Sequence, residues 1–71
     1  MKELMKALEN LYPGVSFRIN PSEDDDTICT VIVDDEDLVN SDEDSIQISD
    51  LVLQYTDYAD VEVVSEDDYS L

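Results

Sequence analysis

From Ile19 to Leu71 this chain carries eighteen acidic residues and neither lysine nor arginine. No other feature constrains the fold as strongly, because a compact state must keep those carboxylates where water or counter-ions reach them. The three cations, Lys2, Lys6 and Arg18, precede the run, alongside Glu3 and Glu9. The formal net charge over 71 residues is −17, with thirteen Asp and seven Glu. Charge of this density favours disorder. Against that, 42% of the residues are hydrophobic, and they fall in periodic blocks, which predicts a folded domain. A chain this short buries only about 60% of its unfolded surface. The single cysteine, Cys29, excludes an internal disulfide, and with no histidine no cysteine-based zinc site is visible.

Leu4, Leu8 and Leu11 recur at helical spacing, so residues 2 to 12 are predicted as a helix that Pro13-Gly14 stops. Val15, Phe17 and Ile19 alternate with polar residues, predicting a strand over 15–19 with one apolar face. Residues 27–33 are β-branched almost throughout and suit a central strand, paired with the first as a hairpin. Asp34 to Ser45 holds seven acids in twelve residues and reads as an acidic connection. Two readings stay open for 46–58. Ile46, Ile48 and Leu51-Val52-Leu53 fit a strand, whereas Ile48, Leu51, Val52, Tyr55 and Ala59 share one helical face. The second favours a helix over about 49–58, capped by Ser49 or Asp50, with Tyr55 in the core. Residues 60–65 alternate as a last strand. A faint echo of helix, Tyr-containing turn and strand links Leu8–Ile19 to Val52–Val64.

These elements predict an α+β fold: a small, mostly antiparallel sheet of three to four strands with one or two covering helices. Residues 1–65 form a single compact domain and 66–71 an acidic tail. The N-terminus lacks the apolar run of a signal peptide, and no stretch is apolar enough to span a membrane. A lone thiol fits a reducing cytoplasm.

Three clusters concentrate the charge: Glu23, Asp24, Asp25 and Asp26; Asp34, Asp35, Glu36 and Asp37; and Asp42, Glu43 and Asp44. The first two bracket the central strand, so they belong at opposite ends of the sheet. Any one cluster reads most simply as solvated loop, since Asp favours turns and caps. The missing cations resist that explanation, because ordinary surfaces mix both signs and unmixed charge destabilises by self-repulsion. Such a surface repels nucleic acid and anionic lipid and attracts basic proteins. A compact chain of this length has a diameter of roughly 29 Å, and a duplex of that length carries about 17 phosphate charges.

Neither Asp24-Asp25-Asp26 nor Asp34-Asp35-Glu36-Asp37 matches an EF-hand loop, since the Gly and the correctly spaced Glu are missing. No metal or cofactor is assigned. Paired carboxylates also serve glycoside and proton-transfer chemistry, but so small a chain offers little room for a closed pocket. No catalytic residue is assigned, and Cys29 reads as a small core residue. Tyr58 and Tyr69, set among acids, have the amphipathic character of interface anchors.

In size, charge and charge asymmetry the whole chain resembles the small acidic DNA-mimic inhibitors of phages and mobile elements, of the anti-CRISPR and anti-restriction type. Those families share no residue signature, so no residue correspondence is carried over. The resemblance implies a non-catalytic inhibitor in the host cytoplasm that occupies the DNA- or RNA-binding surface of a basic protein. A CRISPR effector or a restriction enzyme is the kind of partner implied, with no direct binding of nucleic acid. Two alternatives share the same composition. One is an acidic interaction module, such as an antitoxin-like neutraliser or an adaptor. The other is a halophile's domain, whose acidity reflects its solvent.

Overall fold

The computed structural model describes residues 2–69, with Cα radius of gyration 11.2 Å and extents 29 × 28 × 20 Å. Helix α1 spans Lys2–Leu11 and buries Leu4 and Leu8, one turn apart, while Leu11 is exposed. Gly14 then takes φ +83°, and a Cβ there would meet nothing within 4 Å. The backbone angle, not crowding, therefore asks for glycine at this turn.

Strands β1 (Phe17–Pro21) and β2 (Ile28–Val33) form the predicted antiparallel hairpin, in register from Phe17↔Val33 to Pro21↔Cys29. Cys29, Val31 and Val33 point to one face and are fully buried. Ile32 is buried on the other face at 4% exposure, as a central strand requires. Strand β3 (Asp60–Ser65) lies on the far side of β2 and runs parallel to it, from Ile28↔Asp60 to Val33↔Ser65. The sheet is thus three-stranded and mixed rather than mostly antiparallel. A parallel pair needs a crossover, and the stretch read as an acidic connection supplies it.

That crossover contains two helices, α2 (Glu36–Asn40) and α3 (Asp42–Tyr55). Both have explicit caps. Asp35 Oδ1 accepts from the Asp37 amide at 3.0 Å, and Ser41 Oγ accepts from the Asp44 amide at 3.4 Å. The cap of α3 is Ser41 rather than Ser49 or Asp50, so the helix starts well before residue 49. Acids in its first turn, Asp42, Glu43 and Asp44, meet the positive end of the helix dipole. Ile48 and Val52 are fully buried and join Leu4, Leu8, Phe17, Cys29, Val31 and Val33 in one core between helices and sheet. Tyr55, placed in the core by periodicity, is instead 47% exposed at the last residue of α3.

After β3 the chain forms a short helix, α4 (Glu66–Tyr69), where composition suggested a tail; Ser70 and Leu71 of that tail lie outside the described residues. The Asn20 side-chain Nδ2 donates to the Tyr69 hydroxyl. That bond lays α4 against the sheet face carrying Ile32. The echo between the halves corresponds to α1–β1 and α3–β3, but the two strands pair with β2 in opposite senses.

Candidate functional site

Most of the acidic residues gather at the two ends of the sheet; Glu3 and Glu9 on α1, Asp50 on α3 and Glu62 within β3 lie outside them. Glu23 to Asp26 lie in the β1–β2 loop, before β2 begins. The amides of Ala59 and Asp60 donate to the Thr27 carbonyl at 2.7 and 3.2 Å, which brings Asp57 and Asp60 to the same end. Asp26, Tyr55, Thr56, Asp57 and Tyr58 line a shallow cleft there. This first pole therefore combines carboxylates with exposed Tyr55. The aromatic content was readable in the segment Tyr55-Thr56-Asp57-Tyr58, although helical periodicity pointed Tyr55 inward.

The second pole lies across the six residues of β2, about 20 Å away at strand rise. Because β2 and β3 are parallel, both end here. Asp34, Asp35 and Glu36 follow one, Glu66 and Asp67 follow the other, and together with Val33 and Ser65 they line a notch of about 70 Å³. That is room for ordered water rather than for an organic substrate. Asp42 to Asp44 join the same end. The Tyr12 ring lies 6.1 Å from that of Phe17, which pairs with Val33, and the Tyr12 hydroxyl donates to Asp44 Oδ1 at 3.0 Å. The fold thus unites the second and third predicted clusters, adds Glu66 to Asp68, and holds Glu23 to Asp26 apart.

Several carboxylates are committed to local structure. Asp25 Oδ1 accepts from the Thr27 amide at 2.9 Å and from its hydroxyl at 2.6 Å. The Thr27 hydroxyl first, then the amide, hold the Asp25 carboxyl below its ordinary value. Asp35 caps α2, Asp44 accepts from Tyr12, and Asp60 Oδ1 accepts from the Val61 amide at 2.9 Å. Glu23, Asp24, Asp26, Asp34, Glu36, Asp37, Asp42 and Glu43 make no side-chain hydrogen bond to the described residues and point into solvent. Glu36, Asp37, Asp42 and Glu43 stand in helix first turns, where each is favoured by about 0.3–1 kcal/mol. Helix N-termini thus help the second pole tolerate its density.

Of the cations, Lys2 and Lys6 are exposed one turn apart on α1, and Arg18 is exposed on β1 opposite Ile32, one pair from the Val33 end of the sheet. Cys29 is fully buried, and burial, with a smaller contribution from the charge of Asp60, raises its thiol above the ordinary value. Among the described residues no three acidic or thiol side chains converge as a metal-ligand set, and no helix is long and apolar enough to cross a membrane. No family model, curated protein or solved structure matches this chain.

Proposed function

We propose that this protein is a non-catalytic inhibitor that presents a nucleic-acid-like array of carboxylates to a basic protein. It blocks the DNA- or RNA-binding surface of that protein, in the manner of anti-CRISPR or anti-restriction inhibitors. The carrying observation is the pair of acidic poles on a body 29 Å long, with Arg18 the one cation carried by the sheet. A duplex of that length presents about 17 phosphate charges, and the net charge here is −17. Solvent-facing carboxylates replace phosphate oxygens opposite Arg and Lys, and long-range attraction speeds the encounter.

The test is retrieval of the tagged protein's partner at low salt, followed by challenge with duplex DNA. A nuclease or CRISPR effector that DNA displaces supports the proposal. A partner indifferent to DNA removes mimicry and leaves an acidic interaction module.

A further inference from the structure

Strand β3 is one margin of the sheet. The Asp60 amide points toward β2, donating to Thr27. Backbone groups alternate sides along a strand, so Val61 and Val63 turn their N–H and C=O outward. The Val61 amide is occupied by the Asp60 carboxylate, while Val63 offers both groups to an incoming chain. The opposite margin, β1, ends in Pro21, a residue that blunts edges. Strand β3 contains no proline, and its charges, Asp60 and Glu62, leave the Val63 backbone groups uncapped among the described residues.

Beside this edge runs a groove lined by Ser45, Ile46 and Ser49 of α3 and by Val61 and Val63. Ile46 is 63% exposed, more than any other large apolar residue among those described. Asp42 and Asp50 stand one turn to either side of Ile46 and are exposed. Asp60 and Glu62 alternate with the valines and face the other side of the sheet, also exposed. An apolar floor, an acidic rim and an unpaired strand edge therefore coincide.

A second copy would bring two net charges of −17 together, so complementarity selects a cationic occupant. We propose that β3 accepts, as a fourth strand, an extended partner segment in which aliphatic residues alternate with Lys or Arg. The side-chain period of two sets the aliphatic residues against Val61, Val63 and Ile46 and the cations beside Asp60 and Glu62. This binding mode does not depend on nucleic-acid mimicry, since it uses neither Asp34 nor Asp37.

The probe is a capped synthetic peptide, Lys-Val-Lys-Val-Lys-Val-Lys, titrated into the full chain at physiological salt. A block peptide of the same composition is the control. Two further versions carry N-methyl groups on one or the other alternating set of backbone nitrogens. Binding should slow exchange of the Val63 amide and shift the resonances of Ile46 and β3. One methylated set should bind about tenfold more weakly and the other unchanged, because only one set faces β3. Ile46→Asp should weaken binding although it adds attraction for a cation, and the double variant Asp34→Asn/Asp37→Asn should bind the peptide as before. Equal binding of the block peptide, indifference to both methylation sets, or an unprotected Val63 amide would overturn the proposal. Self-association that protects β3 without peptide would also overturn it, assigning the edge to a second copy.

Discussion

The Tyr12 hydroxyl donates to Asp44 Oδ1 at 3.0 Å across 32 residues of sequence, tying the end of α1 to the first turn of α3. Burial first, then the hydrogen bond to Asp44 and the charges of Asp44 and Glu43, raise the Tyr12 hydroxyl above its ordinary value of 10.0. Between the unfolded and folded values the native state binds more protons, so its stability falls as pH rises through that window. Tyr12→Phe should cost about 0.5–1.5 kcal/mol at neutral pH. Urea unfolding of both proteins should show that advantage intact below pH 10 and lost as pH climbs past the folded value. A difference independent of pH would mean that the bond is not made in solution.

Self-repulsion among twenty acids should make stability depend on salt. The Debye length is about 10 Å at 0.1 M, well under the 29 Å body, so modest salt already screens one pole from the other. The protein should be folded in dilute buffer. Its melting temperature should rise by roughly 4–8 °C on adding moderate salt, equivalent to about 1 kcal/mol in a domain of this size. Folding that appears only in molar salt would identify the acidity as a halophile's adaptation.

Within the hairpin loop, Asp25 and its neighbours should behave oppositely. Asp25→Ala removes the acceptor for both Thr27 donors and should lower the melting temperature. Asp24→Ala and Asp26→Ala remove repulsive charges that make no side-chain hydrogen bond, and should leave it unchanged or raised. The Asp25 contribution belongs above its unfolded value of 3.8 and fades as pH falls through the lowered folded value. Thermal melts of the three variants at neutral pH and near pH 3 separate these outcomes. Identical behaviour would mean that Asp25 is only another surface charge.

The two poles can be separated by charge reversal at carboxylates not committed to structure. Asp24→Lys/Asp26→Lys probes one end and Asp34→Lys/Asp37→Lys the other, sparing Asp25 and Asp35 and their turn and cap bonds. Each double variant should retain the wild-type fold by circular dichroism. The variant at the contacting pole should bind the retrieved partner at least about tenfold more weakly, given coupling energies of about 1.5 kcal/mol or more for close charge pairs. Unchanged affinity in both would shift the contact to the body between the poles.

Stability should hinge on α1. At about 0.05–0.15 kcal/mol per residue, 71 residues give a total on the order of 4–11 kcal/mol. Leu8 is fully buried, so Leu8→Ala should remove about 2–5 kcal/mol. Leu11, 44% exposed, should cost well under half as much when cut to Ala. Chemical denaturation distinguishes them, and similar costs would mean that α1 packs on a different face.

Strands were legible where hydrophobic period and side-chain type agreed, as in Phe17/Ile19 and the β-branched run 28–33. The parallel partnership of β3 was not, because pairing sense depends on what lies between. Asp34 to Ser45 looks like loop by composition, yet acids are favoured at helix N-termini. Ser41 followed three residues later by Asp44 is a capping pattern that marks where α3 begins. The acidic clusters were visible as residues, but their grouping was not. Asp34, Asp42 and Glu66 share one end only because β2 and β3 point the same way.

That shared direction also sets the order in which the molecule can be completed. The middle strand finds one neighbour in the hairpin that precedes it, but its other neighbour is β3, formed after two helices have intervened. Contacts between 28–33 and 60–65 are distant in sequence and slow to close. A nascent chain whose β3 has not yet left the ribosome holds the hairpin with one side of β2 bare, and so depends on its last elements for a native state. The final strand acts as a clasp, and premature termination before residue 60 should yield chains that are degraded rather than partly active.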